Sequence, residues 1–281
     1  MARIMTKATV ATKRNSGRSF GPLLRLFLLG ALSVAFMGGL LLAGCDEGGP
    51  QSSVPSTTHP GSSAPLTTPA GARAVEFSSK DGLTLRGTLF GSGSSGVLLA
   101  HMYPADQTSW WGIAERLAQE GYLVLTFDFR GYGESEGGRD IARIDRDVLG
   151  GVSCLQVNGA GHLVLVGASM GGTACLVAAD ALQPLSSVRL AGVATLSAPV
   201  EFKGLSAAQA VPRLAVPLLF IAAEGDVGAE GARQLNELAG DNAQLRILAG
   251  SEHGTQLLEG PHKDTVYQLL TDFLHRNLGD Q

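Results

Sequence analysis

Two hydrophobic periods alternate along the chain from residue 74 onward. Residues 74–90 (AVEFSSKDGLTLRGTLF) switch between apolar and polar on both sides of Lys80-Asp81-Gly82, which predicts a β-hairpin turning there. Apolar runs at 96–101 (GVLLAH), 122–129 (YLVLTFDF) and 162–168 (HLVLVGA) predict buried strands. So do 189–199 (RLAGVATLSAP), 217–226 (PLLFIAAEGD) and 243–253 (AQLRILAGSEH). Between them the period lengthens to that of a helix. Residues 107–122 predict one, with Thr108 or Ser109 as N-cap and Gly121 as its stop. Residues 140–157 predict another, with Ile141, Ile144, Val148, Val152 and Leu155 on one face. Residues 170–182 and 265–278 predict two more. Strands alternating with helices require crossover connections. The expectation for 73–281 is therefore an α/β domain, a mostly parallel sheet of about eight strands flanked by helices on both faces.

The N-terminal pattern is different. Residues 26–43 (LFLLGALSVAFMGGLLLA) are almost wholly apolar and follow a basic stretch. Arg3, Lys7, Lys13, Arg14, Arg18 and Arg25 are its charges, with no acid before residue 46. This is the layout of a secretory signal over residues 1–44. Its end, Leu42-Ala43-Gly44-Cys45, resembles the bacterial lipoprotein signal. That resemblance implies a lipidated Cys45 as the mature N-terminus, holding the protein on the extracytoplasmic side of a cell membrane. An uncleaved transmembrane anchor is the alternative, since the apolar run approaches the ~20 residues needed to span a bilayer. Residues 45–72 are rich in Gly, Pro, Ser and Thr and predict a flexible tether.

Composition narrows the function. The chain carries 21 bases and 25 acids, and six of those bases lie in the leader, so the remainder is clearly acidic. Such a body is a poor partner for nucleic acid, whose phosphates require basic clusters. Cys154 and Cys175 both sit in apolar helical patterns and are expected to be buried free thiols. No spacing suggests a metal site, and no cofactor is expected.

In parallel sheets, sites form at the carboxyl ends of strands. That filter selects the candidate chemistry. Gly167-Ala168-Ser169-Met170-Gly171 is a G-x-S-x-G set between a strand and a helix, the context of a nucleophile elbow. A serine hydroxyl needs a base. Of six histidines, His59 is in the tether, His162 begins its strand and His275 lies inside the last helix. His262 stands near a helix start, and His101 ends a strand inside a motif of its own. His253 follows the last strand on a loop and is the best-placed base. The acid that fixes its tautomer should follow the preceding strand. Asp226 lies further into that loop than Glu224, which is the alternative. Asp128 is expected to brace its own loop.

The order Ser169, Asp226, His253, each after its strand, resembles the α/β-hydrolase superfamily across residues 74–278. Asp128-Phe129-Arg130-Gly131-Tyr132-Gly133-Glu134-Ser135 is similar to its D-x-R-G-x-G-x-S loop. His101-Met102-Tyr103-Pro104 is similar to its H-G-x-P loop, with Met102 in place of the usual glycine. The resemblance implies an oxyanion hole formed by the backbone N–H groups of Tyr103 and Met170. It also implies acyl transfer to water from a small-molecule ester or other acyl substrate. Only Val200 to Val216 separate the sixth and seventh strands, room for one short helix, so an open site without a cap domain is expected. Met102, Trp110 and Trp111 fall near the expected mouth as candidate substrate contacts, with core packing as the competing role for the tryptophans. Three functions are consistent with this reading: a carboxylic-ester hydrolase, a peptidase of the same fold, and a non-catalytic tethered binding protein. A dehalogenase is disfavoured, because its chemistry needs a carboxylate at position 169.

Overall fold

The computed structural model describes residues 67–182 and 188–279. The leader 1–44, Cys45 and nearly all of the tether lie outside the described residues. Among the described residues, ten strands and five α-helices follow in the order β1 (Arg73–Ser78), β2 (Thr84–Phe90), β3 (Ser95–Ala100), α1 (Trp111–Gln119), β4 (Leu123–Phe127), α2 (Asp145–Val157), β5 (His162–Ala168), α3 (Met170–Leu182), β6 (Arg189–Leu196), β7 (Glu201–Phe202), β8 (Leu205–Ser206), β9 (Leu218–Ala223), α4 (Gly228–Ala239), β10 (Ala243–Leu248) and α5 (Lys263–Leu278).

Eight strands form one sheet in the order β1-β2-β4-β3-β5-β6-β9-β10. Only β2 runs against the others, because it pairs antiparallel with both β1 and β4. The hairpin, the alternation and the mostly parallel sheet are as the sequence pattern led us to expect. The central strands are buried on both faces, and their alternate residues feed two separate cores. Leu98, Leu125, Leu165, Val193 and Phe220 face α2, α3 and α4. Val97, Leu99, Val124, Val166 and Ile221 face α1 and α5. Each such side chain contributes about 1.5–3 kcal/mol on burial, which is why these strands read as continuous apolar runs. Ile141, Ile144, Val148, Val152 and Leu155 are all buried in the first core, and Cys154 and Cys175 are free and buried.

Two local expectations are corrected. The segment before α1 is capped by neither Thr108 nor Ser109. Gln107–Trp110 forms a 3-10 turn, and the Asp106 carboxylate caps it by accepting the Thr108 N–H at 2.9 Å. Between β6 and β9 there is no α-helix. Phe202-Lys203-Gly204-Leu205 closes a two-residue hairpin joining β7 to β8, and Val211–Arg213 adds a 3-10 turn. Lys203 and Gly204 have φ of 46° and 88°, the left-handed pair of a type I′ turn.

An ion-pair network fastens the hairpin to the rest. Arg130 is almost fully buried and binds Asp147 at 2.6 Å and Asp81 at 2.7 Å. Arg130 also lends its N–H to Asp147. The guanidinium holds the Asp81 carboxyl far below the usual carboxylate range. Breaking one partner would strand a buried charge, so this network ties the β1–β2 turn, the loop after β4 and helix α2 into one unit.

Candidate active site

The strand order sets the location. From β3 the chain moves to β4 on one side, then through α2 to β5 on the other. The carboxyl ends of β3 and β5 therefore flank a topological switch point, where crossovers diverge and leave a crevice. His101-Met102-Tyr103 follows β3 and Ser169 follows β5.

Ser169 has φ of 48°, a left-handed conformation that costs a non-glycine residue roughly 1–3 kcal/mol. It persists because both sides hold it. The Ser169 N–H donates to Leu196 O on β6 at 2.8 Å, while its carbonyl accepts Gly172 and Thr173 N–H groups as α3 begins. The flanking glycines are required by space. A Cβ at Gly167 would sit 2.4 Å from the Gly171 carbonyl, and one at Gly171 would sit 2.4 Å from Ala100 O and 2.5 Å from His101 O. These contacts press the elbow against the end of β3. The serine is largely buried at this turn, with 6% of its surface exposed.

His253 stands on the loop after β10, and its Nδ1 hydrogen-bonds Asp226 Oδ1 at 2.7 Å. Asp226 is buried after β9, while Glu224 is exposed, so the acid on His253 is Asp226. The pairing puts the donated proton on Nδ1 and leaves Nε2 free to accept. The next residue ties this loop to the elbow. Gly254 lies so close to Met102 that a Cβ there would be 2.6 Å from its Sδ, and 3.4 Å from the Cβ of Ala168, the neighbour of Ser169. Ser197, which the sequence reading passed over, completes the support. It follows β6 with φ of 57°, and its hydroxyl accepts the Gly254 N–H at 3.0 Å. The strand-end filter alone could have raised it. His262 and His162 hold no position in this cluster: one stands just before α5 without a capping hydrogen bond, and the other opens β5 at the far edge.

His101 is fully buried, and both ring nitrogens are committed. Nε2 accepts the Phe129 N–H at 3.1 Å, so Nδ1 carries the proton and donates to Met102 O at 2.9 Å. It is a brace for the 101–103 loop. Burial pushes its pKa from 6.5 down to about 4. The folded state thus resists a proton that the unfolded chain accepts. The resulting stability is complete above about pH 6.5 and is lost as pH falls through the interval to about 4. Urea unfolding across that range should show a steep decline for the wild type and a shallower one for His101→Gln, which keeps a donor and an acceptor but cannot titrate there. Equal slopes would remove His101 from this account. Asp128 braces the neighbouring loop, accepting both the backbone N–H and the side-chain amide of Gln107 at 2.9 Å.

Tyr103 N–H donates to no backbone acceptor among the described residues. Met170 opens α3, so its N–H has no partner within the helix. Both are therefore available donors beside the elbow. Of the candidate substrate contacts, Met102 is partly exposed and touches the His253 loop, with Thr255 Oγ1 3.7 Å from its sulfur. Trp110 is 0% exposed and packs in the core against α1, so it offers no surface to a ligand. Trp111 is partly buried and lines a separate cleft with Arg86, Thr88 and Glu134, away from the serine. Trp110 takes the core role, and Trp111 packs against the same core from its edge. Among the described residues no group of three or more His, Cys, Asp or Glu is arranged to hold a metal ion.

Comparison with known proteins agrees with this fold. A family model described as the α/β-hydrolase fold matches residues 97–209. The uncharacterized protein YfhR of Salmonella typhi is 28% identical over 161 residues, covering 53% of this chain and 55% of that protein. The chain thus spans about half the length of the curated relatives it matches. Bifunctional epoxide hydrolase 2 of Sus scrofa is 36% identical over 95 residues, 33% of this chain and 17% of that protein. Among solved structures, an esterase of Pyrococcus furiosus superposes with a TM-score of 0.63 at 21% identity, over 74% of this chain and 93% of its own. The described domain has the α/β-hydrolase fold.

Proposed function

We propose that the domain is a serine hydrolase of carboxylic esters, with Ser169 as nucleophile, His253 as base and Asp226 as the acid that orients it. The observation that carries this reading is a strained Ser169 at the elbow after β5 together with the His253–Asp226 hydrogen bond formed on the loops after β10 and β9, at the same edge of the sheet. Ser169 Oγ attacks the ester carbonyl as His253 Nε2 takes its proton. The oxyanion is received by the N–H groups of Tyr103 and Met170, each such donor contributing about 3–4 kcal/mol in comparable sites. His253 then protonates the leaving alcohol. Water deprotonated by the same nitrogen releases the acid and restores Ser169.

The esterase neighbours and the short, uncapped connection between β6 and β9 support ester chemistry. The epoxide hydrolase relative does not carry over its reaction. Ring opening by a serine alkoxide would leave an alkyl ether, which water cannot cleave under mild conditions, whereas an acyl-serine is readily hydrolysed. The test is turnover of a p-nitrophenyl ester series against amino-acid p-nitroanilides. Faster cleavage of the anilides would move the assignment to a peptidase.

The leader pattern supports a location of this chemistry outside the cytoplasmic membrane. LLAGC and the tether that follows support a lipid on Cys45, with the hydrolase domain free to turn near the bilayer. A clickable palmitate analogue should label the wild-type chain and fail to label Cys45→Ala. Unlabelled, unprocessed wild type in the membrane fraction would favour a transmembrane anchor instead.

A further inference from the structure

The β7–β8 hairpin carries a lysine in a costly place. The first position of a type I′ turn favours Asn, Asp or Gly, yet Lys203 occupies it with φ of 46°. A backbone outlier of this kind is worth a functional question. Its exposed side chain lies over two aromatic rings. The Lys203 ammonium lies 4.1 Å from the centre of the Tyr103 ring and 5.4 Å from that of Phe202, and the two rings are 6.0 Å apart. Tyr103 is the exposed residue next to Met102, on the loop that packs against the elbow and the His253 loop. The ammonium therefore stands over the candidate oxyanion loop.

Its charge is uncompensated: among the described residues no carboxylate lies within ion-pair distance of Lys203. Glu201, two residues earlier in the same hairpin, is exposed and forms no ion pair with it, and acids of the other loops at this end of the sheet do not reach it either. Asp106 caps its own turn through Thr108. Glu252 folds back onto the Ser251 N–H. Glu224 is exposed on the side of the Asp226 loop. The ammonium is thus held on an aromatic ledge beside the 101–104 loop with no carboxylate to neutralise it.

We propose that Lys203 is a specificity-determining residue that selects esters carrying a carboxylate, the aromatic ledge of Tyr103 and Phe202 supporting the substrate's carbon chain. The inference rests on the ester-hydrolase reading for its reaction, but anion recognition can be measured without turnover.

Full-length wild type, Lys203→Gln and Lys203→Arg are compared on phenyl butyrate, phenyl hemisuccinate and 4-carboxyphenyl butyrate, which place the charge on neither side, the acyl side or the alcohol side. Lys203→Gln should lower kcat/KM for at least one charged ester about fivefold, the size an exposed ion pair reaches, mainly through KM. Phenyl butyrate should be unaffected, and Lys203→Arg should restore the charged ester. In about 1 M salt, where the Debye length is ~3 Å, the wild-type advantage should shrink to that of Lys203→Gln. Saturation-transfer NMR with glutarate and neutral glutaramide supplies the turnover-independent arm. The wild type should favour glutarate, and Lys203→Gln should not. Equal losses on all three esters, or no preference for glutarate, overturn the role of Lys203. A Lys203-dependent glutarate preference without turnover of any ester would overturn the esterase reading and leave the anion site standing.

Discussion

Ser169→Ala is expected to lower kcat for p-nitrophenyl acetate by about 10⁶-fold, the loss seen when a serine nucleophile is removed from a comparable triad. The fold should survive, with a melting temperature within about 3 °C of the wild type. The substitution deletes only a hydroxyl. The backbone constraints on residue 169, its N–H to Leu196 and the glycine contacts beside it, involve no side-chain atom of the serine. Activity and melting measured on the same preparation separate the two effects. A variant that melts normally and still turns over the ester would place the nucleophile elsewhere.

The second large effect concerns the base and its partner. His253→Ala should match the serine variant to within about tenfold, because the two act as one unit and their losses do not add. Asp226→Asn should cost about 10⁴-fold, since an amide can donate to Nδ1 and so favours the wrong tautomer. The exposed Glu224 should tolerate Glu224→Gln with little change, and so should His262→Ala. Steady-state kinetics on the four variants decide the matter. If Glu224→Gln were more damaging than Asp226→Asn, the hydrogen bond to Asp226 would not be the one that orients the base.

Much of this was legible in the chain because the signals were local. A parallel strand buried on both faces must be a continuous apolar run, and a residue that ends such a run lies at one known edge of the sheet. That rule alone brought Ser169, Asp226 and His253 to one edge and sent His162 to the other. The features that the sequence did not disclose depend on three-dimensional contact. Trp110 looked like a mouth residue because it follows the 101–104 loop, but a 3-10 turn rotates it into the core. The cap on that turn is Asp106, one turn earlier than a regular helix would place it. Ser197 carries no motif, and its role as acceptor for the Gly254 N–H appears only when β6 and the His253 loop meet. The short segment between β6 and β9 had room for a helix, yet Lys203-Gly204 turned it into a hairpin.

Covalent trapping tests the central claim most directly. The full-length protein is treated with a fluorophosphonate probe, digested, and the adduct mapped by mass spectrometry. The account predicts one modified site, Ser169, on the wild type, slow or absent labelling of His253→Ala, and none on Ser169→Ala. A probe adduct on another residue, or ester turnover by a protein that the probe leaves unmodified, would contradict it.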